Sequence, residues 1–231
     1  MAVQKVPLLK IPKLQRPVME KDELKAFLAE PGKTKAGRRD QVLLALLYDT
    51  AIRVSELTGI VLGDMNLSTK NVSIVIRGKG KKNRSVVLNK KCADLVKNYV
   101  LHYHEPDASP DTPLFYTMIH GKMNHMSQRN VGRIVKKYGD RVRKEYPSLP
   151  DTTYPHMLRR SRATGLYRDG VPLELISAIL GHASSETTKI YAIPSVEQMR
   201  EALSKGQPDE AEIEKMWESK EKEIRKLFGL E

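Results

Sequence analysis

Residues 155–192 read PHMLRRSRATGLYRDGVPLELISAILGHASSETTKIYA, and the rest of the chain is interpreted from this stretch. Proline is favoured at the first position of a helix and glycine just after the last, so Pro155 and Gly170 predict the ends of one helix. Pro172 predicts the start of a second helix, whose apolar residues recur at helical spacing until Gly181. The stretch is therefore expected to form consecutive helices joined by tight turns.

Four polar side chains of this stretch are candidates for chemistry: His156, Arg159, His182 and Tyr191. His156 and Arg159 lie three residues apart and are expected on one helix face, and Tyr191 falls in a third short helix that a serine cap begins. Taken singly, each is better explained as structural: a partly buried histidine, a salt-bridge arginine, a helix C-cap or a packed aromatic ring. Only the set favours function.

The composition predicts a globular protein that binds a polyanion. With 231 residues, of which 40% are hydrophobic, the chain can bury a substantial core. It contains 40 Lys or Arg against 28 Asp or Glu, a net charge of +12. The segment 197–231 is acidic on balance, so the positive excess lies in residues 1–196. This pattern is typical of nucleic-acid-binding proteins, although ribosomal, membrane-surface and chaperone proteins share it.

The remaining composition argues for a reducing compartment. A single cysteine, Cys92, excludes a disulfide framework. No apolar run reaches the roughly 18 residues of a membrane span, and the N-terminus lacks the pattern of a signal peptide. We therefore expect a soluble cytoplasmic protein without membrane contact. Residues 1–17 are rich in lysine and proline, which is typical of an extended linker or arm.

Arg53 follows a predicted buried helix that runs from residue 39 toward Thr50. The chain is expected to turn near Ala51 before a second helix begins. A long cation at such a joint must reach solvent or an anion, and Glu56, three residues later, is placed to orient it. A simple surface ion pair is the alternative, and without other information it is the better explanation.

Residues 71–89 alternate apolar and polar side chains around the sequence GKGKKN, which predicts a β-hairpin. Four basic residues lie at or near its tip: Lys79, Lys81, Lys82 and Arg84. A basic ribbon of this kind could place a lysine against a phosphate or in a DNA groove. A solvated hairpin tip explains the charges equally well.

Taken together, these residue types can break and rejoin a phosphodiester. A tyrosine phenol can attack the phosphorus and hold it covalently, provided that cations neutralise the non-bridging oxygens and an acid protonates the leaving oxygen. Arginines supply bidentate donors, histidines supply hydrogen bonds or proton transfer, and a lysine can protonate the leaving hydroxyl. The sequence contains no carboxylate cluster spaced for Mg²⁺ and no Walker-type loop for ATP, so we expect no metal and no cofactor.

Four sequence motifs resemble those of the tyrosine recombinases, also called phage-integrase family site-specific recombinases, and most of all their Xer-type members. They are AIRVSEL at residues 51–57, GKGKKNRSVVL at 78–88, HMLRRSRAT at 156–164 and LGHASSETTKIYA at 180–192. Their order and spacing agree with the family pattern, except that Ala51 replaces a usual glycine. The resemblance spans about residues 18–192.

The resemblance implies a mainly α-helical catalytic domain with a small antiparallel β-sheet, an α+β fold. It also implies a DNA strand transferase that needs neither a metal ion nor ATP and that acts through a 3′-phosphotyrosyl intermediate. Such an enzyme serves site-specific recombination or integration, for example of a mobile element. In that reaction Tyr191 would be the nucleophile and Lys79 the general acid. Arg53 and Arg159 would bind the scissile phosphate, and His156 and His182 would assist. The Glu56 carboxylate would orient these residues without contacting DNA. Further DNA contacts are expected at Lys81, Lys82, Arg84 and Arg160.

The implied organisation is a linker or arm at 1–17, a catalytic domain at 18–196 and a C-terminal tail at 197–231. The tail is predicted to contain a charged helix that either packs in cis or contacts a neighbouring subunit. The expected partners are double-stranded DNA and further copies of the chain, as a tetramer on DNA. Because family members usually carry an additional N-terminal DNA-binding domain, we expect that domain to be missing here, with a single-domain variety as the alternative.

Two other functions fit the same residues less well. A non-catalytic DNA-binding regulator or accessory protein would keep the fold and the basic surface, but it would not need the tyrosine and both arginines. A type IB topoisomerase shares the chemistry, although the Xer-like spacing argues against it. Target-site selectivity does not follow from these residues, because phosphate contacts position a protein on DNA while base contacts specify the sequence.

Overall fold

Seven α-helices and five β-strands are built from residues 17–68, 71–78 and 83–181, the part of the chain that the computed structural model describes. The helices are α1 (Lys21–Ala29), α2 (Lys35–Asp49), α3 (Val54–Thr58), α4 (Lys90–Tyr103), α5 (Gln128–Val142), α6 (Pro155–Arg168) and α7 (Leu173–Leu180). The strands are β1 (Met65–Asn66), β2 (Ser73–Arg77), β3 (Asn83–Val87), β4 (Tyr116–Ile119) and β5 (Lys122–His125). The mainly α-helical class with a small antiparallel sheet is confirmed.

Side-chain caps fix where three of the long helices begin. The Thr34 hydroxyl accepts a 3.0 Å hydrogen bond from the amide of Gly37, so α2 begins at Lys35, four residues before the predicted start. The glycine, lysine and threonine that precede this helix resemble a loop, but the threonine is its cap. Asn89 caps α4 and Ser127 caps α5 in the same way.

The core is organised around α2, because its run of leucines is apolar on more than one face. Leu43, Leu44 and Leu46 are all fully buried. A helix that is apolar over so much of its circumference must be covered from several directions. Helices α4 and α6 pack against α2, and α1 and α3 also contact it. The joint at the end of α2 is therefore held at the centre of the domain.

The predicted hairpin is present as β2 and β3, and β1 extends it to a three-stranded antiparallel sheet. The register pairs Arg77 with Asn83 and Ile76 with Arg84. Ile74 and Ile76 are buried on one face, whereas Val75 on the other is 39% exposed, so the sheet covers the core on one side only. Residues 79–82 at the tip lie outside the described residues.

A second hairpin, formed by β4 and β5, was not predicted. The residues of β4 and β5 are mostly exposed, and buried and exposed positions do not alternate along either strand. The signal lay in the turn instead. His120 and Gly121 both have positive φ, 49° and 75°, which is the backbone of a type I′ two-residue turn.

Helices α6 and α7 form a smaller apolar cluster with the end of α2. Its buried members are Ala51, Ala163, Ile176 and Leu180. The start of α6 at Pro155 agrees with the prediction, and so does the end of α7 at Gly181, whose positive φ of 62° provides a left-handed C-cap. Among the helices described here, none is long and apolar enough to cross a bilayer.

Candidate active site

The backbone joint between α2 and α3 determines where Arg53 lies. Ala51 has a φ of 50° and is fully buried, so a residue with a Cβ occupies the left-handed region inside the core. This conformation costs an alanine roughly 1 to 2 kcal/mol relative to the right-handed one. The turn that it makes ends α2 at Asp49 and allows α3 to begin at Val54. Arg53 is therefore the N-cap residue of α3, at the predicted joint.

Glu56 binds both the backbone and the side chain of Arg53. The amide of Arg53 donates to Oε2 over 2.9 Å, and its Nη1 donates to Oε1 over 3.0 Å. The Arg53 side chain is 44% exposed, whereas that of Glu56 is 7% exposed. A buried carboxylate thus holds an arginine whose guanidinium reaches the surface, which is the arrangement expected if Glu56 orients Arg53.

Arg84 binds the same carboxylate from strand β3. Its Nη1 donates to Oε1 over 3.0 Å and its Nη2 to Oε2 over 2.9 Å, a bidentate pair. Burial by itself would raise the pKa of Glu56. The hydrogen bonds from Arg84 and from the Arg53 amide, together with the charges of both arginines, outweigh burial and lower the pKa from 4.5 to about 2. Glu56 is therefore ionised at neutral pH.

Arg159 is the largest fully buried side chain among the described residues, at 1% exposure. Its Nη1 donates to the carbonyl of Ala51 over 2.6 Å, and its Nη2 donates to the carbonyl of Leu180 over 2.8 Å. Leu180 is the last residue of α7, so Arg159 connects α6 with the ends of α2 and α7.

His156 and Arg159 differ in burial although they lie three residues apart on α6. His156 is exposed in the first turn of the helix, whereas Arg159 is inside the domain. The single shared face expected from their spacing is therefore only partly realised. His156 lies where a ligand at the protein surface could reach it, and Arg159 lies where it fixes the backbone of the site.

Arg160 and Arg84, two of the predicted DNA contacts, both have partners within the protein. Arg160 is 3% exposed, stacks on the ring of Tyr154 at 5.3 Å and donates to the Tyr154 hydroxyl. Its neighbours Leu158, Arg159 and Ser161 are buried as well, so this part of α6 faces the core. Arg84 is bound to Glu56 with its side chain 19% exposed. Both guanidinium groups are directed into the protein.

The other predicted site residues lie outside the described part of the chain. They are Lys79, Lys81, Lys82, His182 and Tyr191. Two backbone groups that the sequence reasoning missed, the carbonyls of Ala51 and Leu180, are the acceptors that locate Arg159. No sequence signal marks a carbonyl, although Gly181 indicated that the chain turns at that point. Within residues 17–68, 71–78 and 83–181, no three His, Cys, Asp or Glu side chains are grouped to hold a metal ion.

Known proteins resemble this chain in both sequence and fold. Residues 17–198, more than half of the chain, match the model of the phage integrase family. The chain belongs to the phage integrase family. Its mainly α-helical fold with small antiparallel sheets is the fold of tyrosine recombinase catalytic domains, and within the phage integrase family its relatives are of the Xer type.

Individual members of the phage integrase family show how far the similarity extends. Tyrosine recombinase XerC of Thermodesulfovibrio yellowstonii is 36% identical over 176 residues, which cover 74% of this chain and 55% of XerC. The crystal structure of XerA recombinase superposes with a TM-score of 0.69 at 26% identity, over 87% of this chain and 67% of that one. The pre-cleavage complex of XerH with its difH substrate has a TM-score of 0.64 at 27% identity, over 82% and 54% of the two chains. This chain thus spans little more than half the length of the XerC relative.

Proposed function

We propose that this protein is a site-specific DNA recombinase that cleaves and rejoins DNA through a 3′-phosphotyrosyl intermediate at Tyr191. The observation that carries the proposal is the meeting of Arg53, Arg159 and the end of α7. Arg159 binds the carbonyl of Ala51, two residues before Arg53, and the carbonyl of Leu180, two residues before His182. Motifs about 100 residues apart in sequence are thereby adjacent in space.

In the proposed reaction the phenolic oxygen of Tyr191 attacks the scissile phosphorus, and its proton passes to His156 or His182. The bond from phosphorus to the 5′ oxygen breaks, and Lys79 donates the proton that makes the leaving group a 5′-hydroxyl. Arg53 and Arg159 neutralise the charge that develops on the non-bridging oxygens, and His156 and His182 assist with hydrogen bonds and proton transfer. Strand exchange follows when the 5′-hydroxyl of a partner strand attacks the phosphotyrosine, so the second step reverses the first.

The exposure of Arg53 and the burial of Arg159 support different parts of this task for the two arginines. Arg53, held by Glu56 and 44% exposed, is the arginine that meets the DNA phosphate first. Arg159 fixes the backbone around that point, and it contributes its charge from within the domain. Preorganised donors of this kind need no rearrangement when charge develops, which is why they lower the barrier more than mobile ones.

Double-stranded DNA is the proposed substrate, and a tetramer of this chain on DNA is the proposed assembly. The positive excess on residues 1–196 and the XerH relative in complex with its difH substrate support DNA binding. Recombination and integration, including those of mobile elements, are the processes that such an enzyme would serve. Light scattering of the complex with a duplex tests the assembly, because four protein chains per pair of duplexes are expected.

Covalent capture of DNA tests the reaction. The protein is incubated with a pool of nicked duplexes whose central sequence is randomised, so that a cleaved fragment diffuses away and the adduct accumulates. A denaturing gel is expected to show a covalent protein–DNA adduct, and sequencing of the captured DNA identifies the target. Tyr191→Phe removes the nucleophilic oxygen and should abolish the adduct. The control is Tyr103→Phe, which removes the hydroxyl of a tyrosine on α4 and should leave the adduct in place.

Two results would contradict the proposal. An adduct that persists in Tyr191→Phe would exclude Tyr191 as the nucleophile. Salt-dependent DNA binding with no adduct from the whole pool would favour the non-catalytic DNA-binding protein instead.

Removal of one preorganised arginine, as in Arg53→Ala, should slow adduct formation by on the order of 10² to 10³, by analogy with single oxyanion donors.

A further inference from the structure

The side chain of Arg84, on the basic hairpin, points toward the protein interior and not toward solvent. Arg84 is the second residue of β3 and pairs in register with Ile76 of β2. With its side chain 19% exposed, Arg84 does not behave as part of a solvated, positively charged hairpin tip. Arg77, on the neighbouring strand, shows the opposite behaviour, since its side chain is 64% exposed and pairs with Asp64 at 2.7 Å. The two arginines of one hairpin therefore have different environments.

Arg84 and Arg53 share one carboxylate. A carboxylate offers about four lone-pair positions, and Glu56 accepts two hydrogen bonds from each arginine at 2.9 to 3.0 Å. The position of the Arg53 guanidinium thus depends on a carboxylate that Arg84 grips with both of its terminal nitrogens. A lysine at position 84 could not span both oxygens, because its ammonium is a single point charge.

Arg84 also packs against the turn that ends α7. A Cβ built on Gly181 would lie 2.9 Å from Cζ, Nε and Nη1 of Arg84, closer than real contacts of this kind. Gly181 has a φ of 62° and is followed by His182 in the sequence. At the same turn, Arg159 binds the carbonyl of Leu180. Two arginines from different elements therefore fix the end of α7.

We propose that Arg84 is a positioning residue of the active site, which orients Arg53 through Glu56 and fixes the end of α7 through its contact with Gly181. It connects strand β3, which follows Lys79, with helix α3, which follows Arg53, and with the turn that precedes His182. In this role Arg84 acts through other residues and does not bind DNA. The inference concerns the proposed recombination site and rests on that proposed function for its effect on rate.

The contact between Arg84 and Gly181 is tested without DNA by urea unfolding. Gly181→Ala is compared with Gly170→Ala, because both glycines follow a helix with positive φ but a Cβ at Gly170 would meet nothing within 4 Å. Gly181→Ala should lower the urea midpoint further than Gly170→Ala does. In an Arg84→Ala background that excess should disappear. An excess that is unchanged without the Arg84 side chain would overturn the contact.

The positioning role is tested by the rate of adduct formation at saturating DNA. Arg84→Lys should slow this rate by about 10- to 100-fold, by analogy with the loss of residues that orient the ligands of a metal ion. Its DNA affinity and the salt dependence of binding should stay within about twofold of the unchanged protein. Arg77→Lys is the matched control, and it should affect neither quantity by more than about twofold. Urea unfolding of both lysine variants shows whether stability differs between them.

The outcomes separate this inference from the function itself. If the unchanged protein forms an adduct and Arg84→Lys is no slower than Arg77→Lys, the positioning role is wrong and the function stands. If Arg84→Ala weakens binding and reduces the salt slope by about one while the saturated rate of Arg84→Lys is unchanged, Arg84 is a phosphate contact. If the unchanged protein forms no adduct, the proposed function fails. The urea comparison then still decides whether Arg84 holds Gly181 in place.

Discussion

Arg159 donates from Nη1 to the carbonyl oxygen of Ala51 over 2.6 Å and so ties helix α6 to the end of helix α2. The bond spans 108 residues of sequence and lies in the interior of the domain. Its second donor, Nη2, reaches Leu180 at the end of α7 over 2.8 Å. One side chain thereby locates three segments, two of which continue directly into predicted catalytic residues. Arg159 therefore contributes to folding as well as to the proposed chemistry.

We predict that Arg159→Ala destabilises the protein far more than Arg53→Ala does. The first substitution leaves two buried carbonyls without this donor and opens a cavity, which should lower the free energy of unfolding by about 2 to 4 kcal/mol. The second removes a partly exposed ion pair, and should cost less than about 1 kcal/mol. Urea unfolding monitored by circular dichroism measures both. Equal stability losses would mean that Arg159 does not support the fold.

Ala51 should be replaceable by glycine with a gain in stability. Its φ of 50° is strained for a residue with a Cβ, and relief of that strain is expected to raise the free energy of unfolding by up to about 1 kcal/mol. Ala51→Val should have the opposite effect, on the order of 2 kcal/mol or more, because a branched side chain meets both the strained backbone and a fully buried site. Thermal unfolding of the two variants ranks them, and a more stable valine variant would contradict the strain.

Sequence patterns predicted most of the helices because their signals are local. Pro155 begins α6, Ser127 caps α5 and Gly181 ends α7, each by a rule that needs only neighbouring residues. The start of α2 was placed too late because Thr34 lay in a stretch that resembles a loop. The second hairpin was missed since its strands are exposed, and only the turn at His120 and Gly121 marked it.

The site was less predictable because burial depends on contacts between distant segments. The ion pair of Arg53 and Glu56 followed from i, i+3 spacing and is present. That Arg84 would share Glu56, 28 residues away, has no local signal. Arg160 looked like one more base in a charged run, yet the packing of α6 on α2 directs it inward. A count of positive charges cannot distinguish arginines that hold the structure from arginines that meet DNA.

The shared carboxylate predicts a specific dependence of stability on pH. The folded pKa of Glu56, about 2, lies below its ordinary value of 4.5, so ionised Glu56 stabilises the fold. This contribution, on the order of 3 kcal/mol, is fully present above about pH 4.5 and is lost as the pH falls toward 2. Glu56→Gln should therefore lower the free energy of unfolding at pH 6, and the difference from the unchanged protein should shrink between pH 4.5 and 2.

A matched control separates burial from charge pairing in that experiment. Asp140 also contacts two cations, Lys136 at 2.7 Å and Arg143 at 2.8 Å, but its side chain is 42% exposed. Solvent screens exposed pairs, so Asp140→Asn should change stability by less than about 1 kcal/mol over the same pH range. Equal pH profiles for the two substitutions would show that Glu56 is not held more strongly than a surface carboxylate.

The single cysteine is predicted to be unreactive in the folded protein. Burial raises the pKa of the Cys92 thiol, and the negative charge of Asp49 raises it further, so the reactive thiolate is scarce at pH 8. Cys92 is also only 3% exposed. Alkylation by iodoacetamide, followed by mass spectrometry, should be slow in buffer and fast in denaturing urea. The control places the thiol on the same helix but in solvent: Cys92→Ser combined with Leu101→Cys, at a position that is 74% exposed. That variant should react rapidly without urea, and rapid reaction of the unchanged protein would mean that α4 opens readily from the core.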